Sequence, residues 1–297
     1  MKRKSCLALL AGGAVLGALR AADLFLGTDA QTGFVTAGSV WLRYGVLFGY
    51  AALIGVLFAK NPPENGGASL TRPAAVLWAA GLLSLLAGLY GLASAVSEWA
   101  APTTNFGRVE SGAGMRTFAF ALRLLLALSL LAGAVWYVLP AARRRARAQA
   151  PAVPVWGFLA LVGFLVLPVL RYAESPSSPQ RILRVLPVFT ALAALAFLVK
   201  LLGAQCVERT PAFDGSLAGA GCTAFFLCTC IELPQAVWMT AHAAMGAAPL
   251  TLSLLLGSVG VLGACSALAV CSAPRRGEQP ADGPAVPAAD DVPGADG

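Results

Sequence analysis

Long apolar runs recur along almost the whole chain and limit what it can fold into. Each run is about 20 residues long, the length that a helix needs to cross the roughly 30 Å hydrocarbon core of a bilayer. The chain is 58% hydrophobic and only 12% charged, against about 25% charged residues in soluble domains. It has too few polar side chains to cover a water-soluble globule and leaves no room for a soluble catalytic domain. The sequence therefore predicts an integral membrane protein.

The runs predict an all-α fold with about eight transmembrane helices. They are continuously apolar and rich in Leu and Ala, whereas the strands of a membrane barrel alternate apolar and polar residues over about ten positions. The predicted spans are Cys6 to Leu26, Val40 to Ala59, Ala74 to Ser97, Thr117 to Leu139, Pro154 to Tyr172, Val185 to Gly203, Leu217 to Trp238 and Leu250 to Ser272. A cleaved signal peptide is the alternative interpretation of the first span, but this run continues past Arg20 and shows no clear cleavage site.

Two four-helix units are predicted, residues 1–139 and 154–273, joined by a basic cytoplasmic linker at 140–153. The segment Leu170–Glu174 repeats the Leu-Arg-x-Ala-acid pattern of Leu19–Asp23, at the corresponding place in the second unit. Two parallel four-helix repeats are a known plan for membrane proteins, so duplication is one interpretation and chance similarity the other. Residues 274–297 are rich in Pro, Ala, Gly and acid, which predicts a disordered cytoplasmic tail.

Basic residues near the span ends predict the orientation. Cytoplasmic ends carry an excess of Lys and Arg, and placing both termini in the cytoplasm puts every lysine and the Arg143–Arg147 cluster on that side. We interpret this cluster as a topology anchor beside anionic headgroups, not as a nucleic-acid site, although the net charge is +7. The tryptophans fall near predicted span ends, as interfacial residues do. We expect a multi-pass protein of the plasma membrane, in a bacterium the inner membrane.

Ionisable residues near the predicted outer ends form the candidate site, because charged groups in membrane spans are costly and often functional. The candidates are Arg20, Asp23, Arg43, Glu98, Arg123, Arg184 and Glu232. A spacing of three predicts pairing of Arg20 with Asp23, and of Arg171 with Glu174, on one helix face.

Two interpretations of these charges remain open. In the first, the side chains extend to the headgroups and connect the helix ends. In the second, Arg20, Arg123 and Glu232 form the floor of an outward-facing, water-filled cavity. Arginine offers a planar fork of donors that suits an anionic solute or a lipid phosphate.

No catalytic or cofactor motif is present in the sequence: HExxH, a phosphate-binding loop, GxSxG and a dinucleotide fingerprint are all missing. An enzyme acting on lipid phosphate would have to use Asp23, Asp29, Glu232 or His242, which are candidates only by elimination. The seven cysteines include no CxxC and are interpreted as small apolar residues. His242 has no nearby ligands in sequence, so we expect neither a metal site nor a cofactor.

The piece Thr28-Asp29-x-x-Thr32-Gly33-Phe34 follows directly on the first span. It resembles a segment of uncharacterised multi-pass membrane proteins of anaerobic Gram-positive bacteria. The resemblance covers Leu19 to Phe34 and implies no activity.

The sequence as a whole predicts binding or transport of a small anionic solute, or of a lipid headgroup, through an outward-facing polar cavity. The alternative is a structural or regulatory membrane subunit without a transport cycle. The inner half of the spans is nearly free of charge, which argues against an easy inward route. The lipid bilayer and an anionic small molecule or lipid are the expected partners, and nucleic acid is not.

Overall fold

A computed structural model describes residues 2–29, 40–63, 73–100, 113–145, 154–173, 185–207, 210–242 and 245–272. The helices are α1 Arg3–Gly27, α2 Val40–Lys60, α3 Ala74–Ala100, α4 Ala113–Arg145, α5 Pro154–Ala173, α6 Val185–Cys206, α7 Pro211–Ala241 and α8 Ala247–Ser272. All eight are long and apolar enough to cross a membrane. The predicted all-α architecture with eight helices of spanning length is confirmed.

All eight helices extend beyond their predicted bounds, and α4 and α7 extend the furthest. α7 begins at Pro211, not at Leu217, because Thr210 caps it: the Thr210 hydroxyl accepts a hydrogen bond from the Phe213 amide at 3.2 Å. Proline in the first turn suits this start, since its missing N–H would have no partner there. α4 continues through Pro140 to Arg145, so helix replaces the first part of the predicted linker.

Successive helices alternate in direction, which gathers four helix ends and four helix starts on one side of the bundle. Contacts join the end of each odd-numbered helix to the start of the next one. These contacts are Asp23 with Arg43, Glu98 with Arg123, Arg171 with Thr190, and Glu232 with Ser253. We call this side the charged end, and the other side the opposite end.

α7 and α8 form the centre of the bundle. In each of them 67% of the most apolar stretch is buried, against 17% in α2. Gly221 and Gly263 let the two backbones touch: a Cβ added to Gly221 would lie 2.5 Å from the Gly263 carbonyl oxygen. Small residues allow such close approach of membrane helices. α1 and α2 pack on α7, α3 packs on α8, and α3 to α6 pack consecutively.

The middle of α7 is π-helical from Phe225 to Glu232, between α-helical segments on either side. Thr229, within this segment, donates a hydrogen bond to the Gly257 carbonyl of α8 at 2.8 Å. Pro234 is the second residue after this segment. Single π-helical turns are rare and often accompany functional sites, so the segment makes α7 a candidate functional helix.

Two tryptophans lie inside the bundle and do not face headgroups. Trp136 and Trp238 are 4% and 2% exposed, and the Trp136 indole donates to the Gln205 side chain at 3.4 Å. Their positions near helix ends reflect packing, so they do not mark the membrane boundary. The predicted duplication of the two units is not tested by these contacts and stays a prediction.

Candidate functional site

Among the described residues, seven ionisable side chains at the charged end form three ion-paired groups. The first group is Arg20, Asp23 and Arg43; the second is Glu98 and Arg123; the third is Arg171 and Glu232. Arg184, the remaining candidate from the sequence, lies outside the described residues. The structure thus brings most of the predicted residues together in pairs.

Asp23 is the centre of the first group. Its Oδ2 accepts from Arg20 Nη1 and its Oδ1 from Arg43 Nη2, both at 2.8 Å. The predicted pairing of Arg20 with Asp23 is confirmed, and Arg43 of α2 adds a link between two helices. Tyr44 lies within electrostatic range of all three charges.

Arg20 is buried although it carries a charge, with only 7% of its side chain exposed. Its Nε is also buried and has no hydrogen-bond partner among the described residues. Buried donors nearly always have an acceptor, and an exception calls for an explanation such as a water or a bound ion. Arg20 is therefore a buried cation with a donor still to be satisfied.

The third group is a buried polar network that joins four helices. Glu232 of α7 accepts from Arg171 Nη2 of α5 at 2.7 Å, from Thr190 of α6 at 3.0 Å and from Ser253 of α8 at 2.9 Å. Arg171 Nη1 donates to the Pro187 carbonyl at 2.7 Å and to the Thr190 hydroxyl at 2.8 Å. With so many hydrogen bonds, this ion pair meets the condition under which a buried pair can offset its desolvation.

The second group is the most exposed of the three. Arg123 pairs with Glu98 in the last turn of α3, and their side chains are 35% and 54% exposed. The neighbouring rings of Trp99 and Phe120 have centroids 4.8 Å apart. α4 starts at Ala113, so about 15 Å of helix precedes Arg123 at 1.5 Å per residue. Because Arg123 pairs with Glu98, it lies level with the end of α3. An arginine at such a helix end can extend its side chain to the headgroups.

The first and third groups lie at the same level of the bundle. α1 and α7 run parallel where they touch: Gly13 lies against Phe226, and Gly17 against Cys230. Continued along both helices, this register places Arg20 of α1 at about the same level as Glu232 of α7. The two groups differ in chemistry. Carbonyl, hydroxyl and carboxylate oxygens accept from the Nη donors of Arg171, whereas the Nε of Arg20 has no partner among the described residues.

Three residues of the third group were missed by sequence reasoning. The sequence predicts a pair of Arg171 with Glu174, which lies outside the described residues; the structure shows that Arg171 Nη2 binds Glu232, a partner that the spacing does not indicate. Thr190 and Ser253 were not considered at all. One signal in the sequence is that prolines 168, 187 and 234 each lie within three residues of a member of this network, namely Arg171, Thr190 and Glu232.

His242 and the acidic and sulfur side chains form no metal centre in the part of the chain that the structure describes. The His242 ring packs on Trp238, with centroids 4.7 Å apart, and its Nδ1 donates to the Trp238 carbonyl at 2.8 Å. His242 thus takes part in packing at the end of α7.

The eight apolar helices fit a multi-pass membrane protein. Comparison with family models, with curated proteins and with solved structures finds no match for this chain. The functional conclusion therefore depends on the three charged groups.

Proposed function

We propose that this chain is a plasma-membrane protein that binds a small anion or a lipid headgroup in a polar cavity at the charged end, and moves it in a transport cycle. Both termini are cytoplasmic in this proposal, so that the charged end faces outward. The two four-helix units are proposed as parallel repeats, which superposition of α1–α4 on α5–α8 tests.

The observation that carries the proposal is the buried Nε of Arg20. A buried donor without an acceptor is costly. An oxyanion would supply that acceptor and would also balance the excess positive charge of two arginines that share one aspartate. Asp23 binds the Arg20 guanidinium through Nη1, so the Nε–H group can donate to a second acceptor. The floor of the proposed cavity is Arg20 with the adjacent Arg171–Glu232 pair, while Arg43 and the Arg123–Glu98 pair lie nearer to the helix ends.

Arg171 and Glu232 have a supporting role in this proposal. Their network is internally satisfied and holds α5, α6, α7 and α8 together at the level of Arg20. A neutral, rigid floor beside Arg20 keeps the positive potential of the arginine available for an anion.

The test is native mass spectrometry of the protein purified in its own lipid, followed by addition of inorganic phosphate. Wild type should retain an anionic adduct, and Arg20→Lys should lose it, because lysine keeps the positive charge but has no Nε–H donor. Arg123→Lys is the matched control and should retain the adduct. Retention by Arg20→Lys together with loss in Arg123→Lys would place binding at the exposed pair and reject the proposal for Arg20.

A structural or regulatory subunit is the second candidate. Each charged group contains an ion pair between two helices. Ion pairs of this kind can stabilise the packing of helix ends without binding any solute. A wild-type protein with no anionic adduct, before and after phosphate addition, would favour this second candidate.

A further inference from the structure

Three thiols from distant parts of the chain meet at the opposite end of the bundle. The Sγ atoms of Cys6 in α1 and Cys222 in α7 are 3.9 Å apart. The thiol of Cys271, at the end of α8, is close enough to interact electrostatically with Cys6. All three side chains are buried, with 0%, 1% and 5% exposed. We call these residues the thiol cluster.

The geometry of the thiol cluster suits a disulfide. A disulfide needs an S–S distance of about 2.05 Å and Cβ atoms about 3.5–4.5 Å apart. The sulfur atoms of Cys6 and Cys222 are 3.9 Å apart, so they must approach each other by about 2 Å to form the bond. The cluster is not arranged to hold a metal ion, since no such group occurs among the described residues.

Access to the cluster comes through the ends of two helices. Cys6 lies near the start of α1, where residues 2–5 are all exposed, and Cys271 precedes the exposed Ser272 that ends α8. Helix ends open locally at a small free-energy cost compared with helix centres. Cys228, in contrast, is wholly buried in the middle of α7 and its thiol donates to the Thr190 carbonyl at 3.3 Å.

We propose that Cys6 and Cys222 are a site of reversible oxidation by a low-molecular-weight disulfide, with Cys271 as an alternative partner for Cys6. Once local opening of the start of α1 exposes Cys6 to water, its thiolate attacks one sulfur of the small disulfide, which forms a mixed disulfide and releases one small thiolate. Cys222 then attacks the Cys6 sulfur and releases the second. Each protein thiol gives up one proton and each released thiolate takes up one, so two protein thiols are oxidised and one small disulfide is reduced.

The bond would link the start of α1 to the first α-helical part of α7. α1 also contacts α7 at Gly17 and carries Arg20, so the crosslink would restrain the helix that presents the proposed anion site. The oxidation itself does not depend on that function, and its test needs no anion.

The experiment treats the full-length protein in its native membrane with glutathione disulfide, blocks remaining thiols with N-ethylmaleimide and maps peptides without reduction. We expect a linked peptide pair containing Cys6 with Cys222 or Cys271, the loss of two alkylated thiols per chain, and recovery of both with dithiothreitol. This readout uses the wild-type protein and so does not depend on the folding of a variant.

Two variants locate the link. Cys6→Ala should abolish it, and Cys230→Ala should retain it, because Cys230 is a buried cysteine on the same helix that contacts α1 outside the thiol cluster. The exposed Cys206 reports whether the oxidant has reacted. If Cys206 forms a mixed disulfide while Cys6, Cys222 and Cys271 all still react with N-ethylmaleimide, the proposal is wrong. A stable mixed disulfide on Cys6 without a linked peptide also overturns it.

Discussion

Removal of the Glu232 carboxylate should be the most destabilising single change at the charged end. Glu232→Ala leaves the Arg171 guanidinium, which is 11% exposed, without its countercharge, and breaking a buried pair in this way costs about 3–5 kcal/mol. The hydrogen bonds from Thr190 and Ser253 are lost as well. At about 0.6 kcal/mol each, the average for side-chain hydrogen bonds between membrane helices, they raise the expected loss to about 4–6 kcal/mol.

The assay is reversible unfolding in mixed micelles, followed by circular dichroism as the fraction of denaturing detergent rises. Glu98→Ala is the matched control, because it removes the carboxylate of an exposed ion pair and should cost only about 0–1 kcal/mol. The double variant Arg171→Leu with Glu232→Leu should be more stable than Glu232→Ala, since an apolar pair leaves no buried charge unpaired.

Two results would refute the reasoning for Glu232. One is a loss for Glu232→Ala no larger than that for Glu98→Ala, which would mean that the buried network contributes little. The other is a double variant as unstable as the sum of the Arg171→Leu and Glu232→Leu single variants, because coupled residues in one network are expected to deviate from additivity.

Three further changes test other contacts, each by the same unfolding assay. Gly221→Ala should cost about 1–3 kcal/mol by overpacking, because the new methyl group would lie 2.5 Å from the Gly263 backbone. The control Gly49→Ala places its methyl group in open space and should be neutral or stabilising. Equal effects of the two changes would contradict the close packing of α7 and α8. Asp23→Ala leaves two arginines without their shared carboxylate and should cost about 1–3 kcal/mol, between the exposed and buried limits; no loss at all would argue against the bridge. Ser84→Ala removes a 2.6 Å hydrogen bond between α3 and α4 and should cost about 0.6 kcal/mol, and a loss above about 2 kcal/mol would mean that the site does more than form this bond.

The helices were predictable from the sequence because the free energy of membrane insertion depends on local apolar length. The start of α7 was missed because Asp214 and Ser216 made the first turns look like a loop, while the structure buries Asp214. Its side chain lies in the first turn of the helix, where the helix dipole favours an acid.

The site was predictable only in part. Arg20 and Asp23 were paired correctly because a spacing of three brings side chains together on one helix. The partner of Arg171 is 61 residues away, and the thiols of Cys6 and Cys222 are 216 residues apart, so both contacts depend on helix packing that no local pattern encodes. The π-helical segment is equally invisible in the sequence, since Phe225 to Glu232 are compatible with an ordinary α-helix.

The π-helical segment also sets the angular phase of α7. An α-helix turns by about 100° per residue, and a π-helical turn, whose hydrogen bonds reach one residue further, turns less. Cys222 before the segment and Glu232 at its end therefore face directions that an unbroken α-helix could not give them together. Conversion of these eight residues to regular α-helix at unchanged length would add rotation between the two halves of α7, so that either Cys222 loses Cys6 or Glu232 loses Arg171.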